Sequence, residues 1–333
     1  MAELIRVEGL TRHFKIGGAM TRSTLHAVDD VSFSIGEQEI VALAGESGSG
    51  KSTVARLLAR VYQPTSGQIT FDGKLLARIR SRKDALAYAA RAPMVFQDPF
   101  SSLHPVFKVS HGVMRALKLH QPELSADERR AEAERVFEVV GLGTDMLDRY
   151  PYQLSGGQRQ RVGFAQALAT KPKLIIADEP VSMLDVSIRI GLLNLMAKLR
   201  DDEGVSILYI THDIASARYV ADRLLVMYAG QIAEAGPIED VLSAPRHPYT
   251  QLLLSAVPDP KAPPPGEEAL AAAAGESGEP PKVIDPVPGC RFRPRCPVAV
   301  DTCSSVTPEL KLARGREVAC HVAQGEQEVK AFS

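Results

Sequence analysis

Residues Gly45-Glu46-Ser47-Gly48-Ser49-Gly50-Lys51-Ser52 constrain the fold more than any other stretch, because of what flanks them. Ile40–Ala44 before them is a continuous apolar run that reads as a buried strand. After them, Ser52–Tyr62 sets Val54, Leu57, Leu58 and Val61 on one helical face. A G-x-x-x-x-G-K-S segment between strand and helix is a phosphate loop. Gly45, Gly48 and Gly50 let the backbone curl so that successive N–H groups, Ser47 among them, point at phosphate oxygens while the helix offers its positive end. Lys51 is suited to neutralise β- and γ-phosphates. Ser52 is suited to put a hydroxyl on Mg²⁺, and Thr53 to make a further phosphate contact. A glycine turn before an ordinary helix is the alternative, and the strand-loop-helix context disfavours it.

Two further segments fit the same chemistry. Leu174-Ile175-Ile176-Ala177 is an apolar strand ending in Asp178-Glu179. As the chain turns there, Asp178 can reach Mg²⁺ while Glu179 faces an attacking water as general base. Taken alone, the pair could equally be solvated acids capping a strand. Leu154-Ser155-Gly156-Gly157-Gln158 opens a helix expected over Gln158–Thr170, with Ser155 as N-cap and Gln158 at the capping-box position. Its free N–H groups form a second anion site.

A chain of 333 residues suggests one large domain with appendages. A net charge of −1 offers no electrostatic footprint for nucleic acid. The first residues carry charges where a signal peptide needs its apolar core, and nothing approaches the ~18 apolar residues of a membrane span. The expectation is a cytosolic chain that reaches a membrane, if at all, by docking onto embedded partners.

Alternating apolar residues in Leu4–Phe14 and Val28–Ile35 suggest antiparallel strands joined through a loop with Gly17-Gly18. From about Pro99 to Gly143 helices take over: one over Val106–His120, and one over Ala126–Val140 with Ser125-x-x-Glu128 as capping box and Gly141 as its stop. Ile207–Ile210 returns to a buried strand after a helix over Asp185–Arg200, the alternation of a parallel sheet. Pro258–Gly289 holds nine of the 23 prolines and reads as a flexible or extended linker that delivers the C-terminal segment to another surface. That segment contains every cysteine of the chain: Cys290, Cys296, Cys303 and Cys320. In a reducing cytosol this clustering favours a metal centre over disulfides.

With these residues in hand, the sequence resembles an ATP-binding-cassette ATPase over residues 1 to about 257. The resemblance rests on Gly45–Ser52, Gln97 after the strand Pro93–Phe96, Leu154–Gln158, Asp178-Glu179, Asp185 in Ser182-Met183-Leu184-Asp185, and His212 in Thr211-His212-Asp213. It implies an α/β P-loop NTPase fold: a RecA-like core with an antiparallel β subdomain and a helical subdomain at about 99–165. It also implies a head-to-tail dimer in which ATP lies between the phosphate loop of one subunit and Ser155-Gly156-Gly157-Gln158 of the other. In that arrangement Gln97 senses the γ-phosphate and Mg²⁺, His212 contacts the γ-phosphate, and Asp185 communicates across the dimer. Phe14 stacks on adenine, with His13 as a second candidate. Met183 stands where Ala is usual and His104 where Asn is usual; neither removes a ligand, so competent hydrolysis is expected.

Gln97–Leu103, His247-Pro248-Tyr249-Thr250 and Leu253–Pro258 are similar to the oligopeptide/dipeptide importer branch, as is the tail at 290–333. In relatives that extension can hold a [4Fe–4S] cluster. The spacings C-x5-C, C-x6-C and C-x16-C are wider than structural zinc usually shows, and Arg291, Arg293 and Arg295 would offset a cluster's charge. Zinc, held by cysteines alone or with His321, and free thiols remain alternatives. The branch implies a second ATPase subunit, two membrane permeases that dock on the helical insertion, and an extracytoplasmic binding protein, with this chain at the cytoplasmic face of the inner membrane. Related importers also carry oligosaccharides or nickel. A soluble ABC ATPase acting on nucleic acid or the ribosome is the alternative from a different class.

Overall fold

The computed structural model describes residues 2–17, 23–79, 81–98, 103–255 and 283–325. A four-stranded antiparallel sheet contains β1 (Glu3–Ile16), β2 (Ser23–Gly36), β4 (Ser66–Phe71) and β5 (Lys74–Leu75), in the order β2-β1-β4-β5. Beside it lies a larger sheet with a parallel centre. Here β3 (Ile40–Ala44), β6 (Met94–Val95), β7 (Leu174–Asp178), β8 (Ser206–Thr211) and β9 (Arg223–Tyr228) run in the order β9-β3-β8-β7-β6.

Every residue of β3, β7 and β8 is buried, which explains why Ile40–Ala44, Leu174–Ala177 and Ile207–Ile210 are apolar runs rather than alternating ones. Alternation survives in what each face meets. Ile40, Ala42 and Ala44 join Ile175, Ala177, Ile207 and Tyr209 in a core shared with the helical segments. Val41, Leu43, Leu174, Ile176, Leu208 and Ile210 face the other way, onto α1 (Lys51–Leu58) and the antiparallel sheet. Two cores thus grip one sheet.

After α2 (Arg82–Arg91), the helical part is built from α3 (Ser110–His120), α4 (Ala126–Val139) and α5 (Gly156–Leu168). At α4 the expected capping box is present: Ser125 Oγ accepts from the Glu128 N–H at 3.2 Å, and Glu128 Oε2 accepts from the Ser125 N–H at 2.7 Å. Gly141 follows the helix at φ +73°, a conformation in which glycine carries no steric cost. The expected start of α3 at Val106 is corrected to Ser110. The Phe107 N–H turns back to the His104 carbonyl at 3.2 Å and the Val109 N–H is taken by the Arg149 carbonyl at 2.9 Å, so this stretch forms a turn and Val106 and Phe107 stay exposed. After β7, α6 (Val186–Asp201) precedes β8, and α7 (Ile214–Val220) follows it.

Of the linker expected over 258–289, residues 258–282 lie outside the described residues. The cysteine segment beyond it does not go to a foreign surface; it returns to this chain's own sheet. After β9 the chain continues into β10 (Gln231–Pro237), α8 (Ile238–Ser243) and α9 (Pro248–Ser255). Antiparallel to β10 lies β12 (Arg316–Val318), with β11 (Lys311–Ala313) outside it, so that the larger sheet grows to eight strands. The β10 edge offers N–H and C=O groups, and β12 pairs with it at Glu234 and Ala235. Phe292, 2% exposed, fills a pocket between Tyr228, Tyr249 and His247, with ring centroids at 5.3, 5.6 and 5.8 Å. Buried Glu234 on β10 completes the junction. Its carboxylate accepts from the Arg246 and His247 N–H groups at 3.0 and 2.9 Å, and its pKa is raised by burial.

His247 makes this junction sensitive to pH. Burial lowers its pKa from 6.5 to about 4, so the unfolded chain takes up this proton before the folded one does. The stability that neutral His247 contributes is complete above about pH 6.5 and is lost as pH falls towards 4, on the order of 3 kcal/mol in total. Chemical denaturation between pH 7 and 4 should show this loss, and His247→Gln should flatten it. Glu234 is common to both chains, so identical pH profiles would remove His247 as the cause.

Candidate nucleotide site

The phosphate loop leaves β3 under tight steric limits. A Cβ at Gly45 would lie 2.1 Å from the Met227 carbonyl oxygen on β9, and one at Gly50 would lie 2.3 Å from the Ala27 carbonyl oxygen on β2. Gly45, Gly48 and Gly50 all have positive φ, at +154°, +79° and +107°. Only glycine meets both demands at 45 and 50. The loop then enters α1, with Gly50 as its N-cap, and the Thr53 and Val54 N–H groups turn back to the Gly50 carbonyl.

Lys51 is 4% exposed, and its Nζ donates to the carbonyls of Gly45 and Glu46, both at 2.8 Å. Burial lowers its pKa, while Glu179, Asp178 and Glu46 pull the other way. The ammonium is therefore held at the centre of the loop and surrounded by carboxylates. Ser52 Oγ donates to Asp178 Oδ1 at 3.1 Å. Asp178 is buried, and burial, helped by the neighbouring charge of Glu179, raises its pKa against the effect of the Ser52 hydrogen bond. A hydroxyl beside a desolvated carboxylate is a donor set of hard oxygens that fits Mg²⁺, and a cation there would offset the cost of that buried charge.

Glu179 adopts φ +48°, in the left-handed region that a residue with a side chain enters at a cost. This turn is what breaks the strand alternation at the end of β7 and lets both acids serve one cleft. The position is tied down from several sides: its N–H donates to the Ile210 carbonyl at 2.9 Å, and its carbonyl accepts from Ser182 Oγ at 3.0 Å. Gln97 Nε2 at 3.1 Å and His212 Nδ1 at 3.2 Å meet on its Oε2. Two residues from neighbouring strand ends thus converge on one carboxylate oxygen at the end of a third strand.

The cleft around these groups measures about 750 Å³, within the range of small-molecule sites. Phe14 lines it at one end, edge-on to Tyr62 at 5.4 Å and beneath the Arg12 guanidinium at 4.6 Å. His13, the second candidate for the base-stacking position, is engaged elsewhere. Its ring stacks on His26 at 3.6 Å, and both histidines bond the Asp29 carboxylate, at 3.0 and 3.1 Å. Arg291 closes that group by pairing with Asp29.

Ser155, Gly156, Gly157 and Gln158 are not among the residues lining the cleft. Their capping box is formed, with Ser155 Oγ accepting from the Gln158 N–H at 3.2 Å and Gln158 Oε1 accepting from the Ser155 N–H at 2.9 Å. The helix therefore begins at Gly156, two residues before the expected Gln158. A Cβ at Gly157 would lie 2.3 Å from Ile188 Cγ2, so this glycine is required by packing as well. Asp185 is exposed as the N-cap of α6.

All four cysteines line one small cavity, together with Arg293 and His321. Among the described residues no three of their sulfurs lie within 4.8 Å of one another. The expectation that three arginines attend the cysteines is corrected. Arg291 bonds Asp29 and the Ala229 carbonyl, and Arg295 bonds Glu46 of the phosphate loop, leaving Arg293 at the cysteine cavity. Glu46, Asp29, Tyr62 and Ser182 carry no signal in the sequence that assigns them a role. Glu46 fills a variable position of the loop motif, Ser182 opens the Ser182-Met183-Leu184-Asp185 motif without a role of its own there, and Asp29 and Tyr62 belong to no motif.

Comparisons with known proteins agree with this geometry. Residues 28–182 match the model of the ABC transporter family, and residues 233–303 match that of the oligopeptide/dipeptide transporter C-terminal region. The chain is 42% identical to the probable peptide ABC transporter ATP-binding protein y4tS of Sinorhizobium fredii, over 96% of this chain and 90% of that protein. It is 40% identical to the putative oligopeptide transport ATP-binding protein YkfD of Bacillus subtilis, over 96% and 95%. A solved dimer of the ATP-binding cassette MJ0796 bound to ADP and Pi superposes with a TM-score of 0.63 at 28% identity, covering 71% of this chain and 99% of that one. With its phosphate loop, its paired acids and these relatives, the chain belongs to the ATP-binding subunits of ABC transporters and is an ATPase.

Proposed function

We propose that this ATPase powers an importer of di- or oligopeptides from the cytoplasmic face of the inner membrane. Support for the chemistry comes chiefly from Glu179, whose Oε2 is met by Gln97 and His212 beside the Ser52–Asp178 pair. Support for the cargo comes from relatives named for peptide transport and from the C-terminal family match.

In this reading Phe14 carries the adenine, and the N–H groups of Ser47, Gly48 and Gly50 with Thr53 cradle the phosphates. Lys51 turns from its carbonyl partners to the β- and γ-phosphates. Ser52 and Asp178, with Gln97 nearby, hold Mg²⁺, which supplies charge neutralisation to the phosphate oxygens. Glu179 orients the attacking water and takes its proton, while His212 faces the γ-phosphate. Ser155, Gly156, Gly157, Gln158 and Asp185 act on the nucleotide of a partner ATPase subunit.

No helix among the described residues is long and apolar enough to cross a membrane. In this reading force reaches the membrane through two permease subunits, as the family membership suggests. A groove between β6 and α5, lined by Phe96, Gly163 and Gln166, is a candidate seat for a permease helix. An extracytoplasmic binding protein supplies cargo to the permeases. Within the chain, residues 1–257 form the ATPase with its helical part at about 99–165, 258–289 link, and 290–333 form the cysteine-rich extension.

In this reading the four cysteines hold a [4Fe–4S] cluster. They line one cavity with Arg293 beside them, and four cysteine thiolates are the usual ligand set of such a cluster. Burial raises the Cys290 and Cys320 thiol pKa values and pushes Cys296 up to about 11, so thiolates here call for a cationic partner. A cluster would cross-link the segment and so hold the extension on the sheet.

Three measurements test these assignments. Glu179→Gln should cut ATP turnover at least about 100-fold while leaving ATP binding intact, and unaffected turnover would reject Glu179 as the base. Protein purified without oxygen should contain iron and acid-labile sulfide in equal amounts; stoichiometric zinc without sulfide would overturn the cluster. In the reconstituted importer, ATPase activity should rise with peptide-loaded binding protein, and stimulation by oligosaccharide or nickel instead would overturn the cargo.

A further inference from the structure

The phosphate loop carries an acid. Glu46 lines the nucleotide cleft, where an unpaired carboxylate would repel the polyphosphate that the loop must receive. Its charge is met from outside every nucleotide motif. Arg295 Nη1 and Nη2 reach Glu46 Oε2 and Oε1 at 3.0 and 3.1 Å, a bidentate pair in which each side chain is only 20% exposed. Such a fork fixes direction as well as charge.

Arg295 is itself held in place. Its guanidinium carbon lies 5.9 Å from the Tyr228 ring centroid and 5.8 Å from that of Phe292, and Phe292 is buried in the sheet junction. Four residues earlier, the same cysteine-bounded segment is anchored again by Arg291 on Asp29 and on the Ala229 carbonyl. At the other end of the contact, Glu46 is tied to the machinery of the loop. Its N–H donates to the Tyr249 hydroxyl at 2.9 Å, and its carbonyl accepts from Lys51 Nζ at 2.8 Å. One residue of the phosphate loop is thus gripped through its side chain and its N–H by the C-terminal part of the chain, while its carbonyl supports the phosphate-binding lysine.

We propose that Arg295 is a positioning residue of the nucleotide site: acting through Glu46, it cancels a negative charge at the cleft and holds the phosphate loop ready for ATP. The C-terminal segment is then part of the ATP site rather than an appendage to it. Removing Arg295 leaves Glu46 charged and facing the phosphates. Removing the Glu46 charge as well abolishes the reason for needing Arg295.

The test is a double-mutant cycle on the full-length chain, with ATP affinity measured calorimetrically without Mg²⁺ so that no turnover intervenes. Arg295→Met should weaken ATP binding about tenfold, and more at low salt than at high. Adding Glu46→Gln to Arg295→Met should bring affinity back to within about threefold of the original chain. A segment that merely stabilises the fold predicts no such recovery. Arg295→Met with unchanged affinity, or a double variant as weak as the single one, overturns the proposal. Should Arg295→Met fail to fold, Arg295→Lys with and without Glu46→Gln makes the same comparison. There the expected loss is about threefold, because one charge remains but the fork is gone, and the double variant should return to the affinity of the original chain.

Discussion

The close approach of Gly45 to the Met227 carbonyl governs the nucleotide site. With β9 hydrogen-bonded beside β3, the chain can leave β3 only along a path that brings backbone within van der Waals reach of backbone. Everything catalytic is measured from that exit. It sets where α1 begins and where Lys51 finds its two carbonyls. It also sets Ser52 opposite Asp178, which stands two strands away across β8. The buried alternation of β3, β7 and β8 keeps those strand ends level. Each strand is locked by two cores at once, and a one-residue slip would exchange every side chain between them.

The convergence on Glu179 extends the same logic. Gln97 lies just after β6, Glu179 just after β7 and His212 just after β8, so three neighbouring parallel strands deliver one residue each to a common point. A parallel sheet presents all its carboxyl ends along one rim, and ligands gather there. The left-handed turn at Glu179 is the local distortion that this convergence needs. Its hydrogen bonds to Ile210 and Ser182 show how the surrounding structure holds it.

Much of this was legible in the sequence, because phosphate loops, strand-end acids and helix caps are written in consecutive residues. Ser125 with Glu128 and Ser155 with Gln158 declare their helix starts within four positions. The short strands β4 and β10 leave no such mark: Ser66–Phe71 and Gln231–Pro237 carry neither unbroken apolar runs nor clean alternation. The pairing of Arg295 with Glu46 was invisible for a different reason. It spans 249 positions, and an arginine beside a cysteine reads equally well as a cluster's counter-charge. Only the return of the C-terminal segment to β10 decides between the two, and strand pairing at an edge leaves almost no trace in a three-residue segment such as Arg316–Val318.

That late pairing also has a consequence for biosynthesis. β12 leaves the ribosome well after β10, because a long stretch of chain separates the two strands. At roughly 5–20 residues per second the open edge of β10 waits several seconds for its partner. During that interval the sheet ends in unsatisfied backbone groups that any other nascent strand could occupy. A newly made chain therefore passes through a stage in which its nucleotide motifs are complete and its border is still adhesive. Chains released before β12 is made should tend to associate with one another.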